Sequence, residues 1–338
     1  MPVTQTLFGP LYAARLLMKR LPLLALPLLL AGCATSQPPV SPPLATLYDY
    51  QLGGSQQEAL TLDQATARLA EADIILVGEL HTHPAIHLLQ SRLLSALYQQ
   101  AEQNGRELTL SMEQFSRADQ ATLDAYLAGK IGEAALIREG HAWPNYPSDY
   151  RPLVEFAKAH HMPVIAANAP KPLVSCIGQE GAAWIDKLPA TRRSQLARQL
   201  TLGDDPYRQK FMASMHHGDA DSNARRFAAQ TSWDDTIAES MVDYLAKHPG
   251  QQIMHIAGNF HVEGGLGIAS RIASRNPALK VALVVPRTDE TSVADRAADV
   301  QVTIMPLPKR WQNSDEMKQD MGALHQSRSR DCSQWLQP

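Results

Sequence analysis

The sequence predicts an α/β fold: a mostly parallel sheet flanked by helices, with a smaller, all-helical insertion. Short apolar runs rich in β-branched residues alternate with amphipathic runs, which is typical of a parallel sheet covered on both faces. Polar residues directly follow several of the apolar runs, as they do at the carboxyl ends of strands in such sheets. The segment at about 189–232 has no strand pattern and is rich in Arg, Gln and Ala, which predicts the helical insertion.

The first predicted strand is Ile74–Val77, four consecutive apolar residues that end at Gly78. Such a run suits a strand that is buried on both faces. A helix that ends at Ala70, with Thr61 or Asp63 as its N-terminal cap, precedes this strand.

The later elements alternate in the same way. The helix Pro84–Gln100 begins with proline and has leucines along one face. The helices predicted after it are Arg117–Leu127, Leu153–His160 and Asp234–Lys247, the last capped near Ser232. The strands predicted after the first are Leu108–Met112, Met162–Ala167, Gln252–Ala257, Lys280–Val285 and Val300–Met305. The last two strands have no polar residue at their ends, so we expect them towards the periphery of the sheet.

Residues 1–32 have the pattern of a secretory signal. Lys19 and Arg20 precede the apolar run Leu21–Leu30, which is short for a membrane span and ends in small residues. We therefore exclude this segment from the folded domain.

The end of the signal resembles a bacterial lipobox, Leu30-Ala-Gly-Cys33, in which the cysteine becomes acylated. An ordinary cleaved signal with an unrelated cysteine is the alternative. Ala34 and not aspartate follows the cysteine, so we expect lipid anchoring of Cys33 in the bacterial outer membrane, facing the periplasm. Residues 33–46 are rich in Pro, Ser and Thr and predict a tether.

The composition is that of an ordinary globular protein. The 338 residues have a formal net charge of -3, so the basic excess typical of nucleic-acid binding is absent and we expect no nucleic-acid partner. The α/β domain is predicted over 47–308, followed by a polar extension over 309–338. Cys176 and Cys332 remain after the signal; an oxidising periplasm favours a disulfide, but sequence separation says nothing about distance, so the bridge is left open.

Polar side chains follow four of the predicted strands. Glu79 and His81 follow the first, Glu113 the second, Asn168 the third and His261 the fourth. Because the carboxyl ends of parallel strands share one edge of the sheet, we expect these side chains to converge there. Any one of them could simply cap a helix, but two glutamates and two histidines together favour a site.

Two chemistries suit these residues. Paired Gly-x-x-His motifs end at His81 and His261, and with Glu79 and Glu113 they could bind a divalent metal such as zinc, manganese or iron. Alternatively, His261 and Glu79 could act as general base and orienting carboxylate in a metal-free hydrolase. In either case Glu79, His81, Glu113 and His261 are the candidate catalytic residues of an esterase or protease.

Six motifs resemble the ChaN-like haem-binding lipoproteins, whose superfamily also contains erythromycin-esterase-like and TIKI/TraB-like proteins. The motifs are Val77–His81, Ser111–Phe115 with Asp119-Gln120, Tyr150–Leu153, Ala166–Pro170, Trp233–Ser240 and Ala257–His261. The resemblance runs from about Leu47 to Pro308. It implies haem binding in iron uptake, without catalytic turnover, and the pairing of two haems across a homodimer through a tyrosine ligand and a histidine of the partner subunit.

A haem site needs an apolar slot, an axial ligand, and donors for two propionates. On this resemblance we rank Tyr150 first and Tyr146 second as the iron ligand, with His217 or His216 assisting, although each could be an ordinary core or surface residue. The expected walls include Trp143, Phe211, Met212 and Met215, and the expected propionate partners are Arg151, Lys171 and Arg138. The sequence has no Cys-x-x-Cys-His motif, so haem would be held reversibly.

Overall fold

The structure, a computed structural model, describes residues 44–54, 58–215, 218–288, 299–325 and 331–337, with the backbone alone for 321–325. The predicted signal, the predicted lipid attachment at Cys33 and most of the predicted tether lie outside the described residues. His216 and His217 also lie outside them. None of the helices in the described ranges combines the length and apolar character needed to cross a membrane.

Eight strands in the described part of the chain form one mixed sheet. They are β1 (Tyr50–Gly53), β2 (Ala59–Leu60), β3 (Ile74–Glu79), β4 (Leu108–Ser116), β5 (Val164–Asn168), β6 (Gln252–Gly258), β7 (Val281–Arg287) and β8 (Val300–Ile304). Their order is β2-β1-β8-β7-β3-β6-β4-β5. All pairs from β8 to β5 are parallel, whereas β1 pairs antiparallel with both β8 and β2. The predicted mostly parallel sheet is therefore confirmed.

The position of the last two strands was predicted wrongly. β7 lies beside the central strand β3, and β8 lies between β7 and β1. β1 and β2 occupy that end of the sheet. β1 and β2 were not predicted from the sequence, because they have only four and two residues and show no clear alternation of apolar and polar positions. Short strands of this kind suit an exposed sheet edge.

Helices follow most of the parallel strands and cover both faces of the sheet. They are α1 (Leu62–Leu69), α2 (Pro84–Gln103), α3 (Gln120–Leu127), α4 (Glu133–Glu139), α5 (Arg151–Ala159), α6 (Lys171–Glu180), α7 (Ala190–Arg193), α8 (Pro206–Ser214), α9 (Ala220–Lys247), α10 (Asn259–Val262), α11 (Ile268–Arg275) and α12 (Ser314–His325). α1 begins with a capping box in which Thr61 and Gln64 satisfy each other's backbone N–H groups. A π-turn at Tyr146–Tyr150 and short 3-10 turns join other elements.

The described residues of the predicted helical insertion, about 189–232, contain α7, α8 and the start of α9, but the insertion does not end where it was predicted to end. Its expected end near Ser232 falls inside α9, which runs unbroken for 28 residues. Ser232 does not cap a helix: it is buried, and its hydroxyl donates to the carbonyl of Ala229 one turn earlier. Because the inward face of α9 is lined with hydrogen-bonded polar residues, the apolar periodicity that marks a helix is weak there.

The two faces of β3 belong to two apolar cores. Ile75 and Val77 pack into the core that includes α2, whereas Ile74 and Leu76 pack into the core that includes α9 and α11. This alternation is the two-residue period of a strand. The polar residue Glu79 lies at the carboxyl end of β3, at the edge of the sheet.

Candidate functional site

A cavity of about 760 Å³ opens at the carboxyl ends of the parallel strands. Three tryptophans and three histidines line it, together with polar and charged residues. The aromatic residues are Trp143, Trp233 and Trp335, and the histidines are His81, His141 and His261. Glu113, Asn168, Lys171 and Arg192 also line it. The sequence-predicted convergence at this edge therefore holds for His81, Glu113, Asn168 and His261.

Glu79, at the end of β3, is buried just beneath the cavity and is surrounded by donors. Its Oε1 accepts hydrogen bonds from Tyr150 Oη at 2.6 Å and from His81 Nδ1 at 2.7 Å, and its Oε2 accepts from Gln90 Nε2 at 2.7 Å. Burial opposes ionisation, but the hydrogen bonds from His81, Tyr150 and Gln90 outweigh it and lower the pKa of Glu79. Glu79 is therefore a buried carboxylate that orients its neighbours.

His81 stands between Glu79 and the cavity. Its hydrogen bond to Glu79 raises the pKa of the imidazole. An ionised carboxylate can only accept, so Nδ1 carries the proton and Nε2 is left as the free nitrogen. Nε2 lies close over Gly258, where a β-carbon would be 3.1 Å away, so this glycine permits the close approach.

Glu113 lies where the pairing of β4 with β5 is irregular. The register of the two strands shifts between Met112 and Ser116, and this bulge re-aims the side chains at the end of the strand. The Glu113 Oε2 accepts a hydrogen bond from the Gly258 N–H at 2.7 Å. Burial dominates and raises the pKa of Glu113, in contrast to Glu79.

His261 is paired with a residue that the sequence analysis did not single out for the site. Its Nδ1 lies 2.8 Å from Asp234 Oδ1, on the buried face of α9. Burial lowers the pKa of this imidazole, but the charge of Asp234 more than compensates, and the result is a pKa of about 9. Asp234 also accepts a hydrogen bond from Tyr207 Oη, which fixes its orientation.

His141 repeats the same arrangement at the rim of the cavity. Its Nδ1 lies 2.8 Å from Oδ1 of the buried Asp119, and its side chain is 78% exposed. His141 adopts a left-handed backbone conformation, with φ +48°, which is uncommon outside glycine and recurs at functional sites. His141 was not predicted as a site residue, since no strand end or local motif marks it in the sequence.

Tyr150 and Tyr146 are the predicted iron ligands, and the structure places neither at the cavity surface. Both side chains are fully buried. The Tyr150 hydroxyl is held by Glu79, and burial raises the pKa of this phenol, which keeps it protonated. The Tyr146 hydroxyl has no hydrogen-bond partner among the described residues. Their role as ligands stays a prediction, and in this conformation neither presents an oxygen to the cavity.

The predicted apolar walls divide into two groups. Trp143 lines the cavity, with its ring 5.3 Å from that of His81. Met215 instead packs, with Met212, onto a separate apolar cluster formed by Tyr207, Phe211 and Phe227. The aromatic rings of this cluster pack against one another and against Phe260, so it is a small core and not a wall of the cavity.

Of the predicted propionate partners, only Lys171 lines the cavity. Arg138 pairs with Glu139, and Arg151 with Glu133, on surfaces away from it. Arg192 lines the cavity but was not predicted, because α7 has only four residues and no buried ones to give a pattern.

The predicted metal set is not assembled. Within the described ranges, no group of three or more histidine, cysteine, aspartate or glutamate side chains is arranged to hold a metal ion. The reason is visible in the hydrogen bonds: Glu79 and Glu113 accept from neighbouring donors, and His261 is turned towards Asp234.

The two remaining cysteines form a disulfide that brings the C-terminal segment to the cavity. Cys176 on α6 is bonded to Cys332, with their Cα atoms 5.7 Å apart. Trp335, in the 3-10 turn Ser333–Leu336, thereby becomes part of the cavity wall. The polar, weakly patterned sequence of this extension gave no sign of such a role.

The family model described as "Haem-binding uptake, Tiki superfamily, ChaN" matches residues 65–272, more than half of the chain. No curated protein sequence matches the chain. Among solved structures, ChaN of Campylobacter jejuni, whose structure describes cofacial haem binding, is similar with a TM-score of 0.61 and 16% identity, over 78% of this chain and 100% of that chain. This likeness shows the fold.

Two further structures are more distant. An erythromycin esterase variant in its open conformation has a TM-score of 0.41 at 11% identity, over 81% of this chain and 86% of that one. The type III effector HopBA1 has a TM-score of 0.44 at 10% identity, over 78% and 100%.

Proposed function

Because the chain belongs to the ChaN family of haem-binding uptake proteins, within the Tiki superfamily, we propose that it binds haem reversibly in the cavity at the carboxyl edge of its sheet and passes it on during iron acquisition. The single observation that supports this most is the cavity itself. Its volume of about 760 Å³ falls in the range of roughly 300–1,000 Å³ typical of ligand pockets. Its tryptophan walls suit a flat apolar ring.

The iron ligand in this proposal is a histidine Nε2. His81 and His141 each direct Nδ1 to a buried carboxylate, which leaves Nε2 as the free nitrogen. Their side chains are 48% and 78% exposed, whereas that of His261 is 10% exposed. A carboxylate that accepts a hydrogen bond from Nδ1 also makes Nε2 a stronger ligand for iron. Proteins tune haem and metal sites through hydrogen bonds of this kind.

Two cations at the cavity suit the propionates. Lys171 begins α6 and Arg192 lies in α7, and both line the cavity. Pairing of a guanidinium or ammonium group with a carboxylate at a partly dry site is stronger than a neutral hydrogen bond.

Haem titration of the purified protein, followed by the Soret absorbance, tests the proposal. We expect saturable binding, weakened at least about tenfold by His81→Ala or His141→Ala and lost in the double variant. His160→Ala is the matched control, since His160 lies on Phe156 outside the cavity. A Soret band that stays unchanged at micromolar haem in the unmodified protein would overturn the proposal.

We further propose that the mature protein is a lipoprotein acylated at Cys33, in the outer membrane and facing the periplasm. The lipobox-like sequence before Cys33 supports this. Mass spectrometry of the protein from its native membrane should show an acylated N-terminal cysteine, and Cys33→Ser should abolish both the acylation and the membrane fractionation. An intact N-terminus on the membrane-bound protein would contradict it.

A homodimer around haem is a separate proposal, supported by the family to which the chain belongs. Light scattering during the titration should show the mass doubling as haem is added. A monomer that stays monomeric at saturating haem would refute the pairing while leaving haem binding intact.

One observation favours a hydrolase as the second candidate function. His261 is held by Asp234 at the same cavity that Glu113 lines, which is the arrangement of a general base with its orienting carboxylate. With a pKa of about 9, His261 would be mostly protonated at pH 7, so ester hydrolysis by this base should rise with pH up to about 9. An ester substrate screen at pH 7 and pH 9, with His261→Gln as control, tests this candidate function. Equal hydrolysis rates for the unmodified protein and His261→Gln would exclude His261 as the base.

A further inference from the structure

We propose that the C-terminal segment 331–337 is a ligand-binding wall held in place by the Cys176–Cys332 disulfide, and that Trp335 stacks on the bound ring. This inference rests on the proposed haem function and adds to it a specificity-determining residue and a dependence on oxidation state. It concerns a part of the chain that the family model, which ends at residue 272, does not cover.

The disulfide is the covalent connection between this segment and the cavity. Cys176 lies on α6, whose first residues, Lys171 and Pro172, line the cavity, and Cys332 lies three residues before Trp335. Both cysteines are buried, and they are 156 residues apart in sequence. Breaking the bond would therefore remove the covalent link between the segment and α6 without cutting any element of the sheet.

Packing supplies the rest of the attachment. Trp335 and Leu336 pack against the apolar cluster that contains Leu173, Cys176 and Cys332. The indole Nε1 of Trp335 has no hydrogen-bond partner among the described residues. The position of the ring is thus set by the disulfide and by apolar contacts, and directional hydrogen bonds from the indole do not contribute.

Arg192 gives this wall its charge. Its guanidinium carbon lies 5.2 Å from the centre of the Trp335 ring, a cation–π distance, and both residues line the cavity. A wall with one aromatic face and an adjacent guanidinium suits a flat apolar ring that bears carboxylates. Haem has this chemistry, with its two propionates.

The test is a haem titration of the purified, oxidised protein and of four variants. Trp335→Ala should weaken haem binding about tenfold, the size expected for loss of one aromatic stacking contact, and Trp335→Phe should recover most of it. The double variant Cys176→Ser/Cys332→Ser should weaken binding to the same extent. Adding Trp335→Ala to the double variant should cause no further loss, because the disulfide acts through Trp335.

Trp311→Ala is the matched control. Trp311 also lies in the C-terminal extension, but its indole bonds to Asp320 and it does not line the cavity, so binding should be unchanged. If the unmodified protein does not bind haem, the proposed haem function is refuted, and the proposed wall is refuted with it. If the unmodified protein binds haem and Trp335→Ala binds it equally well, the proposed wall is refuted. This conclusion holds even if loss of the disulfide weakens haem binding, since the disulfide would then act through the overall stability of the protein.

Discussion

Asp234 on α9 and His261 beyond β6 form a buried pair, with Oδ1 and Nδ1 2.8 Å apart. The two residues are 27 positions apart in sequence and lie on different elements. Because the carboxylate lies behind the ring, the imidazole is both oriented and charged near neutral pH. The pair therefore places a charged, oriented imidazole at the wall of the cavity.

Replacing Asp234 with asparagine should remove the pH dependence that this pair gives to folding. The pKa of His261 is raised from 6.5 to about 9, so the pair stabilises the folded state fully below pH 6.5 and this stability is lost as pH rises through 9. Between these values we expect the free energy of unfolding of the unmodified protein to fall by at most about 3 kcal/mol. Urea denaturation at pH 6.5, 8 and 9.5 should show a flatter profile for Asp234→Asn.

Nuclear magnetic resonance titration of the histidine rings provides the control for this prediction. In Asp234→Asn the His261 pKa should drop towards or below 6.5. The ring signals of His248, which is exposed, should have the same positions in the variant and in the unmodified protein when the two are compared at one pH. An unchanged His261 pKa would contradict the pairing.

Tyr150→Phe should destabilise the protein, although the hydroxyl does not face the cavity. The change removes a buried donor from the Glu79 carboxylate, so we expect a loss of about 1.5–3 kcal/mol in the free energy of unfolding. Tyr146→Phe is the matched control, since this equally buried hydroxyl has no partner among the described residues and its removal should be neutral or slightly stabilising. Equal effects of the two changes in urea denaturation would argue against a charged Glu79.

Gly267→Ala should disrupt the Asp234–His261 pair through the backbone. A β-carbon at Gly267 would lie 2.4 Å from the His261 carbonyl oxygen and 2.8 Å from Asp234 Oδ1, so one of them must shift. We expect a loss of more than about 2 kcal/mol in the free energy of unfolding. Gly203→Ala, with no atom within 4 Å of the new carbon, should change it by less than about 0.5 kcal/mol. Thermal and urea unfolding of both variants measure the two effects. A Gly267→Ala variant as stable as the unmodified protein would contradict this prediction.

Lys171→Gln and Arg192→Gln should each weaken haem binding several-fold, because each removes a cation from the cavity. The loss should shrink in high salt, which screens exposed charges. Haem dimethyl ester, which lacks both propionate charges, should bind the variants and the unmodified protein alike. Arg138→Gln, which disturbs only the surface pair with Glu139, should leave haem affinity unchanged. If Arg138→Gln weakened haem binding to the same extent, the effect would come from the net charge of the protein and not from contact with the propionates.

The sequence by itself determined the parallel sheet, the family and the edge at which chemistry collects. Strands that alternate with helices form a parallel sheet. The polar residues that follow these strands must therefore share one edge of the sheet. His81, Glu113 and His261 could be placed there before any contact was known, and the resemblance to ChaN-like proteins, carried by the same strand ends, is confirmed.

Only the tertiary structure decided which side chains complete the site and which turn away from it. Asp234 reaches His261 from a buried helix face. His141, Arg192 and Trp335 reach the cavity through a left-handed turn, a four-residue helix and a disulfide. None of these features leaves a periodic trace in the sequence. Tyr150 follows the right motif, yet its hydroxyl points to Glu79. Sequence periodicity reports the backbone, whereas the direction of a side chain depends on partners that are distant in the chain and become neighbours only on folding.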